Sequence, residues 1–186
     1  LISVDTFNSE VAYEALVNGA NWINDVTGGR RDKEILDVVS KFNCPYVITH
    51  SRGTSQNMNQ LSKYNNLLSE VQLSLKSLIK TALEKNISKT NIILDPGIGF
   101  SKDIIHNLEI LKNLDVFKKW NLPILIGASR KRFIGEILNE KNPKERDIGT
   151  LAVSCLCSQF NIDIVRVHNV ELNYQILKVA DRIYRK

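Results

Sequence analysis

The sequence predicts an α/β fold with a parallel sheet and, more narrowly, a (β/α) barrel. Three observations carry this. Short apolar runs alternate about six times with amphipathic helical stretches, a pattern that gives parallel strands joined by right-handed crossovers. Each strand leads out into a polar residue: Asp5, Asn24, His50, Asp95, Ser129 and Arg166. No Gly-x-Gly-x-x-Gly follows the first strand, which disfavours a dinucleotide-binding doubly wound sheet. Polar groups collected at strand carboxyl ends are what a barrel needs, because its active site lies on that face.

The elements follow in order. Ile2–Asp5 reads as a strand, and Val11, Ala12, Ala15 and Leu16 mark one face of the helix after it. Asn18-Gly19 closes that helix. Asn21–Asp25 is the second strand, and Ile35, Leu36, Val38, Val39 and Phe42 mark the second helix. Pro45–Thr49 is the third strand. A loop rich in Asn, Ser and Gln leads from it to a long helix with Leu67, Leu68, Val71, Leu75, Leu78, Ile79 and Ala82 at a period near 3.6. The fourth strand runs from Asn91 to Asp95. It is apolar enough to be buried on both faces, and Pro96-Gly97 stops it. Ile104, Ile105, Leu108, Leu111 and Leu114 mark the next helix. Pro123–Ile126 is the fifth strand, with helical segments at Arg132–Leu138 and Glu145–Phe160. Asp163–Val167 is the last strand, and Leu172, Ile176, Leu177, Ala180 and Ile183 are the expected buried face of the closing helix.

A complete TIM (β/α)8 barrel has eight strands and typically about 250 residues. The 186 residues here are expected to supply about six βα units of one domain spanning residues 1–186, with the first two units missing. The opening Leu1-Ile2-Ser3-Val4-Asp5, in mid-strand and without an initiator Met, suggests N-terminal truncation. The chain alone is then expected to be unstable and inactive, its first and last strands being unpaired apolar edges.

Composition narrows the function classes. The chain is 43% hydrophobic and 24% charged, which suits a globular domain with a real core. No apolar run approaches the roughly 20 residues that cross a bilayer. The net charge of +5 is compatible with a basic solvated surface or an anionic substrate. Nucleic acid is disfavoured, because no basic run is interleaved with aromatics. Cys44, Cys155 and Cys157 lack CxxC spacing and read as reduced, partly buried thiols.

Several strand-end residues have two readings. Asp95 is either a turn aspartate bonded to its own backbone or a carboxylate at the mouth of the sheet. Asp5 and Asn24 are caps or, with Asp95, a set of acceptors and donors suited to the N–H edge of a flat heterocycle. Lys131 is a solvated turn cation or a ligand donor. Arg166 and His168 stand on alternate positions of one face. The guanidinium fork matches phosphate oxygens or pairs with a barrel carboxylate. His106 reads as surface. Ser129 lacks a Gly-x-Ser-x-Gly setting, so it is not a nucleophile. No HExxH or paired-Cys spacing suggests zinc.

Together these residues resemble the dihydropteroate synthase family. The motifs are Ser3-Val4-Asp5-Thr6, Ile23-Asn24-Asp25-Val26, His50-Ser51-Arg52-Gly53, Asp95-Pro96-Gly97-Ile98-Gly99-Phe100, Gly127-Ala128-Ser129-Arg130-Lys131 and Arg166-Val167-His168-Asn169-Val170. The resemblance implies a TIM barrel that condenses 6-hydroxymethyl-7,8-dihydropterin pyrophosphate with p-aminobenzoate in folate biosynthesis. It implies that Asp5, Asn24, Asp95 and Lys131 hold the pterin, with Asp95 and Lys131 catalytic. Arg166 and His168 would hold pyrophosphate, and Phe100, Ser129, Arg130 and Lys131 would border the p-aminobenzoate pocket. It further implies a Mg²⁺ cofactor whose ligand lies outside this chain, sulfonamide sensitivity, a homodimer, a cytoplasmic or, in a eukaryote, mitochondrial location, and a fusion to an upstream pyrophosphokinase domain in some relatives. Ser51 departs from the family, which carries Met or Thr there. The competing expectations are a methyltetrahydrofolate-binding corrinoid methyltransferase barrel and a non-catalytic, degenerate pterin-binding domain.

Overall fold

A computed structural model describes residues 1–54 and 56–185. Ser55, in the polar loop, and Lys186 lie outside the described residues. The strands are β1 (Ser3–Asp5), β2 (Trp22–Asp25), β3 (Tyr46–Thr49), β4 (Ile92–Asp95), β5 (Leu125–Ile126) and β6 (Ile164–Val165). The helices are α1 (Ser9–Val17), α2 (Glu34–Phe42), α3 (Leu67–Glu84), α4 (Ile104–Lys112), α5 (Arg132–Leu138), α6 (Asp147–Gln159) and α7 (Val170–Tyr184).

β1 to β4 pair in sequence order and all in parallel. β5 pairs in parallel with β6, and a bridge between Leu94 and Ile124 joins the two sheets. This is part of the wall of a TIM barrel. The register sets Asp5 beside Asn24 and Thr49 beside Asp95, so the strand ends come out on one rim. Among the described residues, β1 and β6 each have a single strand neighbour.

The elements form for local reasons. β3 and β4 are buried along their whole length, as continuous apolar runs require. Val71, Leu75, Leu78, Ile79 and Ala82 of α3 recur on one face and are all buried. Asn8, Asn66, Asp103 and Asn169 each cap a helix by accepting a backbone N–H. Asn43 and Asn139 end α2 and α5 in the left-handed conformation.

Three expectations are corrected. The segment expected as one helix from Glu145 opens as a 3-10 turn at Pro143–Arg146 before α6 begins. In α7, Leu172 and Ile183 are exposed and the buried residues are Asn173 and Ala180. Polar contacts set that rotation: Ser154 Oγ donates to Asn173 Oδ1 at 2.6 Å, and Ser158 Oγ to Asp181 Oδ1 at 2.5 Å. Val11 of α1 and Ile105 of α4 are likewise exposed, because the covered stripes run through Ala12 and Leu16, and through Ile110 and Leu111.

Candidate active site

The rim is tied together by polar contacts between strands. Asn24 Nδ2 donates to Asp5 Oδ2 at 2.9 Å. Asn24 Oδ1 accepts from Arg166 Nη1 at 2.6 Å, although the two residues are 142 apart in sequence. Arg166 Nη2 lies 3.6 Å from Asp95 Oδ2. Asp5, Asn24, Arg166 and Asp95 thus form a string across the mouth, from β1 through β2 and the end of β6 to β4.

Asp95 combines its two expected roles. Its Oδ1 accepts the Gly97 N–H at 2.8 Å, closing the turn, while Oδ2 faces Arg166. The side chain is buried, and burial raises the carboxyl above its usual range, against the pull of Lys131, Arg166, the Gly97 amide and Lys102. Gly97 has φ +76°, and a Cβ there would lie 1.8 Å from the His50 carbonyl oxygen. Only glycine lets the turn after β4 approach the end of β3 this closely.

Lys131 lies across the mouth. Its Nζ is 4.4 Å from the Phe100 ring centroid and donates to the Ile98 carbonyl. Burial lowers its pKa to about 8, with Asp95 opposing and Arg166 adding to the shift. Ser129 Oγ and His168 Nδ1 are 2.9 Å apart, and the His168 N–H donates to Ser129 Oγ at 3.2 Å. Ser129, Lys131, Arg166 and His168 line a cleft of about 170 Å³. A neighbouring cleft of about 310 Å³ is bounded by Phe100, Lys102, Lys131 and Phe133. A third, of about 650 Å³, opens beside Phe7, Arg30, Ser51, Arg52 and Phe100.

Some sequence expectations change at this level. Arg130 has φ +57°, and its guanidinium fork is engaged by Asp147 at 2.7 and 2.8 Å, so it is not a free donor beside Lys131. Arg166 donates through Nη1 to Asn24 and faces the Asp95 carboxylate through Nη2, the carboxylate pairing among its two expected readings. His106 is half-buried, not a surface residue: its ring sits edge-on to Tyr64 at 5.1 Å and 2.9 Å from the Asp103 carboxylate. Ser51 donates to the Val26 carbonyl at 2.6 Å and accepts from Arg30 at 2.8 Å, which ties it to the loop after β2.

Two further residues shape the site. Asp25 is fully buried and accepts four hydrogen bonds, from the Thr27 and Gly29 amides, the Thr27 hydroxyl and Tyr46 Oη, at 2.6–2.8 Å. It fixes the Thr27–Gly29 loop, and it raises the Tyr46 pKa beyond what burial alone does. Lys102 is buried with its Nζ against His50 Nδ1 and two carbonyls. Its only sequence signal is a lysine directly after a loop of two glycines. No group of three or more His, Cys, Asp or Glu side chains gathers at metal-binding spacing among the described residues.

The fold is that of a (β/α) barrel, with a polar rim at the strand ends beside a cleft lined by Ser129, Lys131, Arg166 and His168. The model of the family described as pterin binding enzyme matches residues 1–168, and the chain belongs to that family. A dihydropteroate synthase of Synechocystis is 42% identical over 184 residues, covering 99% of this chain and 64% of that protein. The chain therefore spans just under two thirds of this relative's length. The structure of a Clostridium difficile dihydropteroate synthase solved in the presence of pteroic acid superposes with a TM-score of 0.91 at 38% identity, over all of this chain and 68% of that one. That of a Thermus thermophilus dihydropteroate synthase in complex with 4-aminobenzoate superposes at 0.92 and 34% identity, over 98% and 70%.

Proposed function

We propose that the protein carrying this chain is a dihydropteroate synthase of folate biosynthesis. It joins 6-hydroxymethyl-7,8-dihydropterin pyrophosphate to p-aminobenzoate and releases 7,8-dihydropteroate and pyrophosphate. The observation that carries this is the string Asp5–Asn24–Arg166–Asp95, which sets carboxylates and an amide on the rim next to the cleft lined by Lys131, Arg166 and His168. The pteroic acid and 4-aminobenzoate of the two structural relatives support it.

Each residue has a task in this scheme. The acceptors Asp95, Asn24 and Asp5 take the N–H edge of the pterin, and Lys131 donates to it. Arg166 turns its fork to the pyrophosphate oxygens beside His168, whose ring Ser129 orients. The C–O bond to pyrophosphate breaks first, and the leaving group keeps the electron pair. Asp95 stabilises the cation left on the pterin as a fixed anion close to the developing charge. The amine of p-aminobenzoate, on the Phe100 and Lys131 side, then forms the C–N bond and releases its proton. Magnesium at the pyrophosphate, a homodimer and a cytoplasmic setting belong to the same proposal, the last in keeping with three free cysteines.

Calorimetry tests it with dihydropterin pyrophosphate against methyltetrahydrofolate, alongside a coupled assay of pyrophosphate release that depends on p-aminobenzoate. Preferential binding of the pyrophosphate compound and turnover are expected. Preference for methyltetrahydrofolate would establish the methyltransferase alternative, and binding without turnover a degenerate domain.

A further inference from the structure

Lys102 lies in the loop between β4 and α4 and is only 4% exposed. Three groups surround its Nζ: His50 Nδ1 at 2.9 Å, the Gly97 carbonyl at 3.0 Å and the Phe100 carbonyl at 3.0 Å. An ammonium has three N–H donors and no acceptor, and a carbonyl only accepts. In the charged state, therefore, His50 Nδ1 accepts and the ring proton sits on Nε2. A neutral amine keeps two N–H groups for the two carbonyls, and its lone pair accepts Nδ1–H from the other neutral tautomer of His50. The three contacts of the Lys102 Nζ are satisfied in both states. A buried cluster that left one partner unpaired in either state would incur the desolvation penalty of that group.

The surroundings bring both states within reach. The charged groups facing Lys102 are Asp95, Lys131, Arg52 and Arg30. Those facing His50 are Lys102, Arg30 and Arg52. Burial, with the three cations and against Asp95, lowers Lys102 to about 7. Burial and the same kind of cationic surroundings lower His50 to about 2, so its ring is neutral throughout the working range. The loop that Lys102 holds carries the turn of Asp95 at one end and Phe100 at the other.

We propose that Lys102 is a positioning residue of this site: it clamps the Gly97–Phe100 loop in either protonation state, His50 changing tautomer to keep the third contact, so that only the charge beside Asp95 changes. The consequence for catalysis rests on the proposed role of Asp95, but the clamp does not.

The test is nitrogen NMR of the protein carrying this chain, labelled at lysine and histidine and titrated from about pH 6 to 9. Loss of the Lys102 ammonium and the shift of the His50 ring from Nε2–H to Nδ1–H should share one midpoint. Hydrogen exchange at Gly97 and Gly99, corrected for intrinsic pH dependence, should stay constant through it. In Lys102→Met the His50 transition should vanish and exchange at the two glycines should quicken at least tenfold. A His50 tautomer that stays fixed while Lys102 titrates overturns the proposal, as does unchanged loop exchange in Lys102→Met. Should that variant not fold, the wild-type titration decides alone. These readouts need no pterin: coupled titration in a protein that binds none would overturn the proposed function and leave the clamp standing.

Discussion

Replacing Asp95 with Asn separates the function of this residue from its stability. Asn keeps an oxygen for the Gly97 amide, so the turn after β4 survives. What is lost is a negative charge with Arg166 Nη2 at 3.6 Å. A unit charge pair near 4 Å contributes about 4 kcal/mol at an effective dielectric near 20. Arg166 is 38% exposed, and solvent screens part of this. A pterin cation in the same place should therefore lose about 2–3 kcal/mol, roughly 30- to 160-fold in kcat/KM. Stability should go the other way. Burial outweighs all the cations acting on Asp95 and leaves its pKa raised in the folded state. The folded protein then binds more protons than the unfolded chain above the usual carboxyl pKa, so stability falls as pH rises through that window. Asp95→Asn removes this penalty, and its urea midpoint at pH 7 should equal or exceed that of wild type. The assays are steady-state kinetics of pyrophosphate release and urea unfolding at pH 4 and 7. A kcat/KM loss below about tenfold would refute the charge argument. A lower midpoint at pH 7 would refute the burial argument.

Arg166→Ala should weaken pyrophosphate binding more than binding of an unphosphorylated pterin in calorimetry; equal losses would leave Arg166 with only its bridge between Asn24 and Asp95. Affinity for dihydropterin pyrophosphate should decline as pH rises through about 8, because Lys131, the donor to the pterin, then loses its charge, and Lys131→Arg should abolish that limb. Gly97→Ala, at φ +76° with a Cβ 1.8 Å from the His50 carbonyl, should destabilise the fold by about 3 kcal/mol or more; a change under about 1 kcal/mol in urea unfolding would mean that the loop opens freely. A sulfonamide should inhibit turnover, and p-aminobenzoate should relieve it; inhibition that p-aminobenzoate leaves untouched would place the sulfonamide elsewhere.

The strands and the rim were legible because one local rule governs both. An apolar run that stops on a polar residue marks a strand and its mouth together, and Asn24, Asp95 and Arg166 all lie where that rule puts them. Side-chain direction was not legible where a partner from another element decides it. Arg130 and Lys131 are neighbours in one motif, yet the left-handed backbone at Arg130 sends its fork to Asp147 on α6. The apolar pattern of α7 named Leu172 and Ile183 as covered, but the polar contacts of Ser154 and Ser158 turned the helix. Nothing near Lys102 in the sequence points to His50, which is 52 residues away.

The contact between Asn24 and Arg166 bears on the order in which the molecule assembles. Each βα unit forms its strand and helix from nearby residues, and the parallel neighbours add one after another. The Arg166 contact instead spans 142 residues. Closing so long a segment is entropically unfavourable, and late contacts of this kind slow folding rather than guide it. By this argument the Asn24–Arg166 contact forms late when the chain folds. A probe placed at Arg166 should lag one placed in β3 on refolding, so that chains caught partway hold a formed β1–β4 wall with no working mouth.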